Sequence, residues 1–438
     1  MKLLFLTTYD RGGAAIATLR MHQALLEKGH QSIVLVKEKT KIDDTIFSLN
    51  QVIPGSSIPG SRFSSYLSSI KNRIKQLFKK KEVTKKEYCF YGLDDRFYTV
   101  DFTNHYRNLP FIPDVIVPCW TSNFLNAQSI SILQQLTGAR VFWWGLDMSP
   151  LTGGCHYAWD CDGYTRDCSW CPAVEVIRYK NIPAENLKSK KDSMVRTGMN
   201  FIAGSSSLAM QARQSALFSS QEEIHKVLMC IDEKIFNARN RETARKEMGF
   251  LTDQKVIFFG STFTKEKRKG IEYFIEALQQ LKHIIEQSAS TNLSQKVLVV
   301  VVGNQLSGME YLQSIPFDVK TLDFISNEMD LSRIYKSSNV FVSSSLEDSG
   351  PMMINESVMC GTPVVSFNIG VADDLVQPGI SGYKAELLDT GSLAQGIFNI
   401  LSLTQIEYDN LVKTTANLAM ERTSKNVVVE QFLKIVNR

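Results

Sequence analysis

One pattern governs most of this 438-residue chain: a short apolar run, a turn rich in glycine or serine, and an amphipathic stretch leading to the next apolar run. Residues 2–8 form the first run, bounded by Asp10-Arg11-Gly12-Gly13. Residues 14–28 follow as the amphipathic stretch and close at Gly29, and residues 32–36 are the next run. Strand, glycine turn, helix, strand is a βαβ unit. Strands apolar along their whole length belong to parallel sheets covered on both faces. Further strands are predicted at 114–117, 139–144 and 201–203, with helices around 129–136 and from near Leu208. The alternation restarts at 255–260 and continues through 297–302, 322–325, 340–342 and 363–367, with a helix over 271–285. The expectation is an α/β chain of two doubly wound, Rossmann-like parallel-sheet domains, spanning 1–232 and 233–420. A helix over 421–438 is expected to pack back on the first domain.

Composition narrows the function. Lys and Arg number 49 against 45 Asp and Glu, a net charge of +4, too mild for a dedicated nucleic-acid binder. No apolar run approaches the ~20 residues needed to cross a bilayer, and the opening apolar hexapeptide is too short for a signal-peptide core. A cytoplasmic protein is expected. Residues 55–90 differ from the rest: Lys71, Arg73, Lys75, Lys79, Lys80, Lys81, Lys85 and Lys86 interleave with Ile70, Ile74, Leu77 and Phe78. This is either a solvated insertion or a basic amphipathic helix attracted to an anionic membrane surface.

Two segments suit a phosphorylated, hydroxyl-rich ligand. Gly12 and Gly13 end the first strand and open a helix, so backbone N–H groups and the positive dipole end face an approaching anion; alone, they also read as a tight βα turn. The second segment runs from Ser343 through Asp348, Gly350, Pro351, Met352 and Glu356 to Gly361-Thr362-Pro363. A strand ends at serines, Pro351 opens a helix, and Asp348 and Glu356 are acceptors suited to sugar hydroxyls. Read alone, it is an acidic loop before an amphipathic helix.

This second segment resembles the donor-sugar signature of the group 1 retaining glycosyltransferases, which have the two-Rossmann GT-B fold. In that family two acidic residues eight positions apart precede a Gly-Thr-Pro-Val-Val strand, as Asp348 and Glu356 precede Gly361-Thr362-Pro363-Val364-Val365 here. The family commonly has Glu at the first position, so Asp348 is one methylene short. The resemblance implies Asp348 on the donor sugar, Glu356 on the ribose, and backbone of Gly350, Pro351 and Met352 on the diphosphate. Lys269-Gly270 matches the family's Lys-Gly pair, whose lysine faces the donor diphosphate and meets the charge of the departing nucleoside diphosphate. Where the family often has an arginine after the strand glycine, this chain has Ser261; Arg268 either compensates or is solvated.

Cys155, Cys161, Cys168 and Cys171 stand in the spacing Cys-x5-Cys-x6-Cys-x2-Cys, with His156 available as a substitute ligand. In a reduced compartment this suggests a closed, structural zinc site, with buried thiols or a redox cluster as the other readings. Together with Asp147 and Thr152-Gly153-Gly154, the segment resembles a subfamily associated with exopolysaccharide and colanic-acid-type glycan assembly. That subfamily has a histidine where this chain has Leu146, and Asp147 is a candidate for a sugar or acceptor hydroxyl. The resemblance implies a retaining glycosyltransferase without a catalytic metal. It would move sugar from a nucleotide-sugar donor to a glycan or polyprenyl-linked oligosaccharide, peripheral at the inner membrane face, with Lys269, Asp348 and Asp147 catalytic. A non-catalytic sugar- or nucleotide-binding subunit and a sugar-nucleotide epimerase are the competing readings.

Overall fold

A computed structural model describes residues 1–56, 83–263, 266–288, 291–304 and 310–438. The basic segment from Lys71 to Lys81, and with it the expected membrane-binding helix, lies outside the described residues. The chain forms two compact units. One comprises Met1–Gly204, Leu208–Val227 and Phe432–Arg438; the other comprises Ser205–Ser207 and Leu228–Gln431.

Among the described residues the first unit holds a parallel sheet of β1 (Lys2–Leu6), β2 (Gln31–Val36), β3 (Ile46–Ser48), β4 (Val115–Pro118), β5 (Arg140–Gly145), β6 (Asn200–Ala203) and β7 (His225–Lys226), in the order β3-β2-β1-β4-β5-β6-β7. Leu3, Leu4, Phe5 and Leu6 are all fully buried, because helices cover both faces. The helix Gly13–Glu27 is tied to the sheet by His22, whose ring nitrogens pair with the hydroxyls of Ser32 at 2.7 Å and Thr45 at 2.8 Å. Burial holds this imidazole down at about 4, so it is neutral at physiological pH. Phe432, on the C-terminal helix Lys425–Val436, stacks on Phe5 within the first unit.

The second unit repeats the plan with β8 (Lys255–Phe263), β9 (Val297–Asn304), β10 (Asp318–Leu322), β11 (Val340–Ser343), β12 (Val364–Phe367) and β13 (Gly382–Ala385), in the order β10-β9-β8-β11-β12-β13. The strand predicted over 322–325 lies earlier, at Asp318–Leu322. Its sequence Asp-Val-Lys-Thr-Leu is half-polar because β10 is an edge strand. The edge strands β3, β7 and β13 escaped the sequence reading for the same reason: each is short, and pairing on one side needs no continuous apolar run. Among the described residues no helix is long and apolar enough to cross a membrane.

In each sheet the first strand sits inside the order, with chain progression running outward in both directions from it. The order therefore reverses between β1 and β4 in the first unit and between β8 and β11 in the second. At such a switch point the loops leave to opposite faces and open a crevice at the carboxyl ends of the strands. A guanidinium clamps the other end of the second sheet. Arg241 donates to Ser338 O at 2.7 Å, Cys360 O at 3.0 Å, Thr362 Oγ1 at 2.8 Å and the Tyr408 hydroxyl at 2.9 Å. These bonds join the segments entering β11 and β12 to the helix Gln405–Thr423. A lysine lacks the planar fork that makes these contacts together. Arg241→Lys should cost about 2 kcal/mol through unpaired carbonyls and lower the melting temperature of the second unit by about 5 °C in calorimetry.

Candidate functional site

The charged groups of the second unit gather at its switch point. β8 leads into a short turn of 3-10 helix, Lys267–Lys269, that ends at Gly270. Gly270 is left-handed (φ 63°), and a Cβ there would stand 2.0 Å from Ser344 O. No other residue fits without moving the backbone. Two hydrogen bonds hold the turn to the segment after β11: Leu346 N–H donates to Arg268 O at 2.8 Å and the Ser344 hydroxyl to Gly270 O at 2.7 Å. This close approach brings the loops after β8 and β11 together.

The side chains follow from that backbone. Lys269 Nζ and Arg268 NH1 each donate to Asp348 Oδ2 at 2.6 Å, and Arg268 Nε donates to Glu266 at 2.9 Å. Arg268, which the sequence left between compensating and solvated, is buried and committed to the site. Burial alone would raise the Asp348 carboxyl; Lys269 and then Arg268 outweigh it and hold the group at about 2. Gly350 N–H donates to Asp348 Oδ1 at 3.3 Å, which places the start of the helix Met352–Met359 beside this cluster. Pro351 is its N-cap and no side chain caps it. The positive end of this helix faces the cluster and suits an anion. Glu356 is buried on this helix and accepts from the Tyr335 hydroxyl at 3.2 Å. The structure thus brings together Lys269, Arg268, Asp348 and Gly350, and puts Pro351, Met352 and Glu356 on the helix that continues from them.

Gly12, Gly13 and Asp147 belong to the first unit. The helix Gly13–Glu27 begins at Gly12 (φ 87°) without a side-chain cap, and among the described residues no atom apart from the adjoining backbone and chain neighbours lies within 4 Å of a Cβ built at Gly12 or Gly13. Asp147 follows β5 and is buried. Burial would raise its carboxyl, but His156 first, then the Ser149 hydrogen bonds, lower it. His156 Nδ1 lies 2.7 Å from Asp147 Oδ2 and donates to that carboxylate, with the Trp120 indole nitrogen packed 3.1 Å from the same atom. The rings of Tyr91 and Trp120 pack on the imidazole. His156 Nε2 is buried and has no hydrogen-bond partner among the described residues.

The carboxylate of Asp147 holds His156, which is not among the residues lining the cavity of the four cysteines. His156 places an imidazole beside Asp147 from nine positions along the chain. The Asp147–His156 pair is what sequence reading missed here. Its signal, a histidine inside the cysteine-rich loop, pointed equally to a metal. The four cysteines line one cavity in the first unit.

Residues 253–402 match the family model described as Glycosyl transferases group 1, which includes the whole Lys269–Glu356 region. The chain is 21% identical over 217 residues to N-acetyl-alpha-D-glucosaminyl L-malate synthase of Bacillus anthracis, a match covering 49% of this chain and 54% of that one. It is 25% identical over 188 residues to D-inositol 3-phosphate glycosyltransferase 1 of Catenulispora acidiphila, covering 41% and 43% of the two chains. These matches span about half the length of the curated relatives. In fold, the chain is similar to HepE of Anabaena, solved with UDP and glucose, at a TM-score of 0.63 and 15% identity, covering 100% of this chain and 99% of that one. Two Rossmann-like units of this kind constitute the expected GT-B fold.

The depressed Asp348 carboxyl has a pH consequence. Its folded value of about 2 lies below the ordinary 3.8, so its contribution to stability is complete above about pH 4 and is lost as pH falls toward 2. Its full size is about 2 kcal/mol. Urea unfolding of wild type and Asp348→Asn between pH 2 and 5 should show wild type losing about that much more stability on acidification than the variant.

Proposed function

We propose that this protein is a glycosyltransferase that takes its sugar from a nucleoside-diphosphate donor. The observation that carries the reading is the convergence of Lys269 and Arg268 on Asp348 beside the start of the helix Met352–Met359. Two cations beside a helix start, fixed in place before any ligand arrives, match the charge that grows on a leaving diphosphate. The match of residues 253–402 to the group 1 glycosyltransferase model and the nucleotide sugars bound by structurally similar proteins support the same donor class.

In this reading Lys269 and Arg268 share their charge between Asp348 and the donor diphosphate. Asp348 orients the lysine and accepts from a sugar hydroxyl, while Glu356 accepts from the ribose. Asp348 is held by two cations, which suits it to anchoring rather than to attack. Transfer then proceeds with retention by a front-face displacement, without a glycosyl-enzyme intermediate. Acceptor recognition falls to the first unit. There Asp147 fixes the imidazole of His156, while the uncapped helix start at Gly12 and Gly13 is assigned to the donor. The acceptor is a glycan or a polyprenyl-linked oligosaccharide of a surface polysaccharide, a reading supported by the likeness of the cysteine-rich segment to exopolysaccharide-type enzymes.

Purified protein incubated with a panel of nucleotide sugars and glycan or lipid-linked acceptors should release nucleoside diphosphate in an acceptor-dependent manner. Lys269→Ala should lower kcat by about 10²–10³, the size of one lost transition-state donor, and Glu356→Ala should weaken donor binding in calorimetry. A panel in which no nucleotide sugar is consumed or raises the melting temperature would overturn the assignment.

A further inference from the structure

A second cavity of the first unit, apart from the one the cysteines share, lies between the loop after β4, the segment around Asp95 and the helix Ile182–Thr197. Its walls carry the hydrogen-bonding side chains of Asp95, Thr121, Ser122, Asn123, Trp143 and Lys190. Trp143, on β5, is 4% exposed, and its indole Nε1 is buried with no hydrogen-bond partner among the described residues. A buried N–H without an acceptor destabilises the fold, which points to a ligand group that enters the cavity and accepts from it.

The walls are held from behind. Asp95 N–H donates to Asn186 Oδ1 at 3.1 Å, and Asn126 Nδ2 donates to Asp95 O at 2.9 Å, so this backbone is clamped from two sides. The Asp95 carboxyl group meets Lys190 Nζ at 3.7 Å, longer than a hydrogen bond. That ammonium donates instead to Ser149 O and Thr152 O at 2.8 Å each. Asn123 is left-handed (φ 60°), and Lys37 Nζ fixes it by donating to its carbonyl at 2.8 Å.

A carboxyl group, an unpaired indole N–H and small hydroxyls lining one space match a ligand whose own hydroxyls both donate and accept. A phosphate or carboxylate would instead face Asp95 with Lys190 already engaged. Tyr91, exposed, lines the same space and offers an aromatic ring to the C–H face of a sugar. The cavity also adjoins the Asp147–His156 pair. Tyr91 packs on the His156 ring at 4.7 Å, and Ser149, another wall residue, donates its N–H to Asp147 Oδ1 at 2.8 Å.

We propose that this cavity takes one edge of a neutral sugar, whose hydroxyls enter to Trp143 and Asp95 while its ring lies against Tyr91. The Trp143 N–H donates to one sugar oxygen, and Asp95 accepts from a neighbouring hydroxyl. The role of that sugar rests on the glycosyltransferase reading above, in which it is the terminal residue of the acceptor. Trp143 and Asp95 then set acceptor affinity and leave donor affinity alone.

Saturation-transfer NMR on the full-length protein, with the methyl glycosides of glucose, galactose, mannose and N-acetylglucosamine as probes, should show at least one of them bound. Its 6-phosphate should bind more weakly. Trp143→Phe, which keeps a ring and removes the N–H, and Asp95→Asn should each weaken binding about tenfold. Should these interior variants not fold, Tyr91→Ala, at an exposed position, should weaken it too. Phe97→Ala, exposed and outside the cavity, should bind as wild type does. In the transfer assay Trp143→Phe should raise the acceptor KM about tenfold with the donor KM unchanged. Absence of glycoside binding, variants that bind as tightly as wild type, or a preference for the phosphorylated sugar would overturn the proposal, even where nucleotide sugar is consumed. Glycoside binding that the variants weaken, in protein that consumes no nucleotide sugar, would support the sugar site and overturn the transferase reading alone.

Discussion

The second unit is organised around one buried carboxylate shared by two cations. Asp348 is where the loops after β8 and β11 meet, and Lys269 and Arg268 reach it at 2.6 Å each. Removing a partner from such a cluster leaves buried charge uncompensated, at a cost of ~3–5 kcal/mol. The contact is possible because the backbone comes unusually close. Gly270 meets Ser344 O where a Cβ would clash, and Gly370 does the same against Asp348 O, where a Cβ would stand at 2.3 Å. Glycine at these two places lets the lysine and the acid converge, and the switch in strand order puts that convergence at an open end of the sheet.

The first unit uses the same topology with different chemistry. Its switch lies between β1 and β4, and the loops leaving these strands are stitched together where the Thr8 hydroxyl meets Trp120 O and Ser122 O. Asp10 is engaged within its own unit. Its carboxylate accepts from Thr40 N–H and hydroxyl and from Lys41 N–H, which anchors the loop and leaves Gly12 and Gly13 unobstructed. The acid that remains is Asp147, and the histidine beside it comes from the cysteine-rich loop. The order of that loop therefore bears on the chemistry of the unit even though no thiol needs to take part.

The interior strands were legible because they are buried on both faces, so their runs are apolar without interruption: residues 297–302 are a leucine and five valines. Edge strands were not, since β10 alternates charge and β3 is a mere three residues. In the site, Lys269 and the pair Asp348 and Glu356 were marked by the resemblance to a glycosyltransferase family; by themselves they read as a basic loop and an acidic loop before a helix. The role of Arg268 stayed open, because a basic run looks alike whether it is solvated or folded over an acid.

The sequence alone determined the two successive parallel sheets and the helix that Pro351 caps, each written in neighbouring residues through periodicity or a helix-opening proline; the acid and lysine of the second unit were marked by resemblance to a family. Only the tertiary structure decided that Arg268 is buried on Asp348, that His156 pairs with Asp147, and that four cysteines share one cavity. Those pairings depend on where loops from different strands come to rest. That is set by the packing of the whole sheet and by close backbone approaches such as Gly270 on Ser344, which no local pattern encodes.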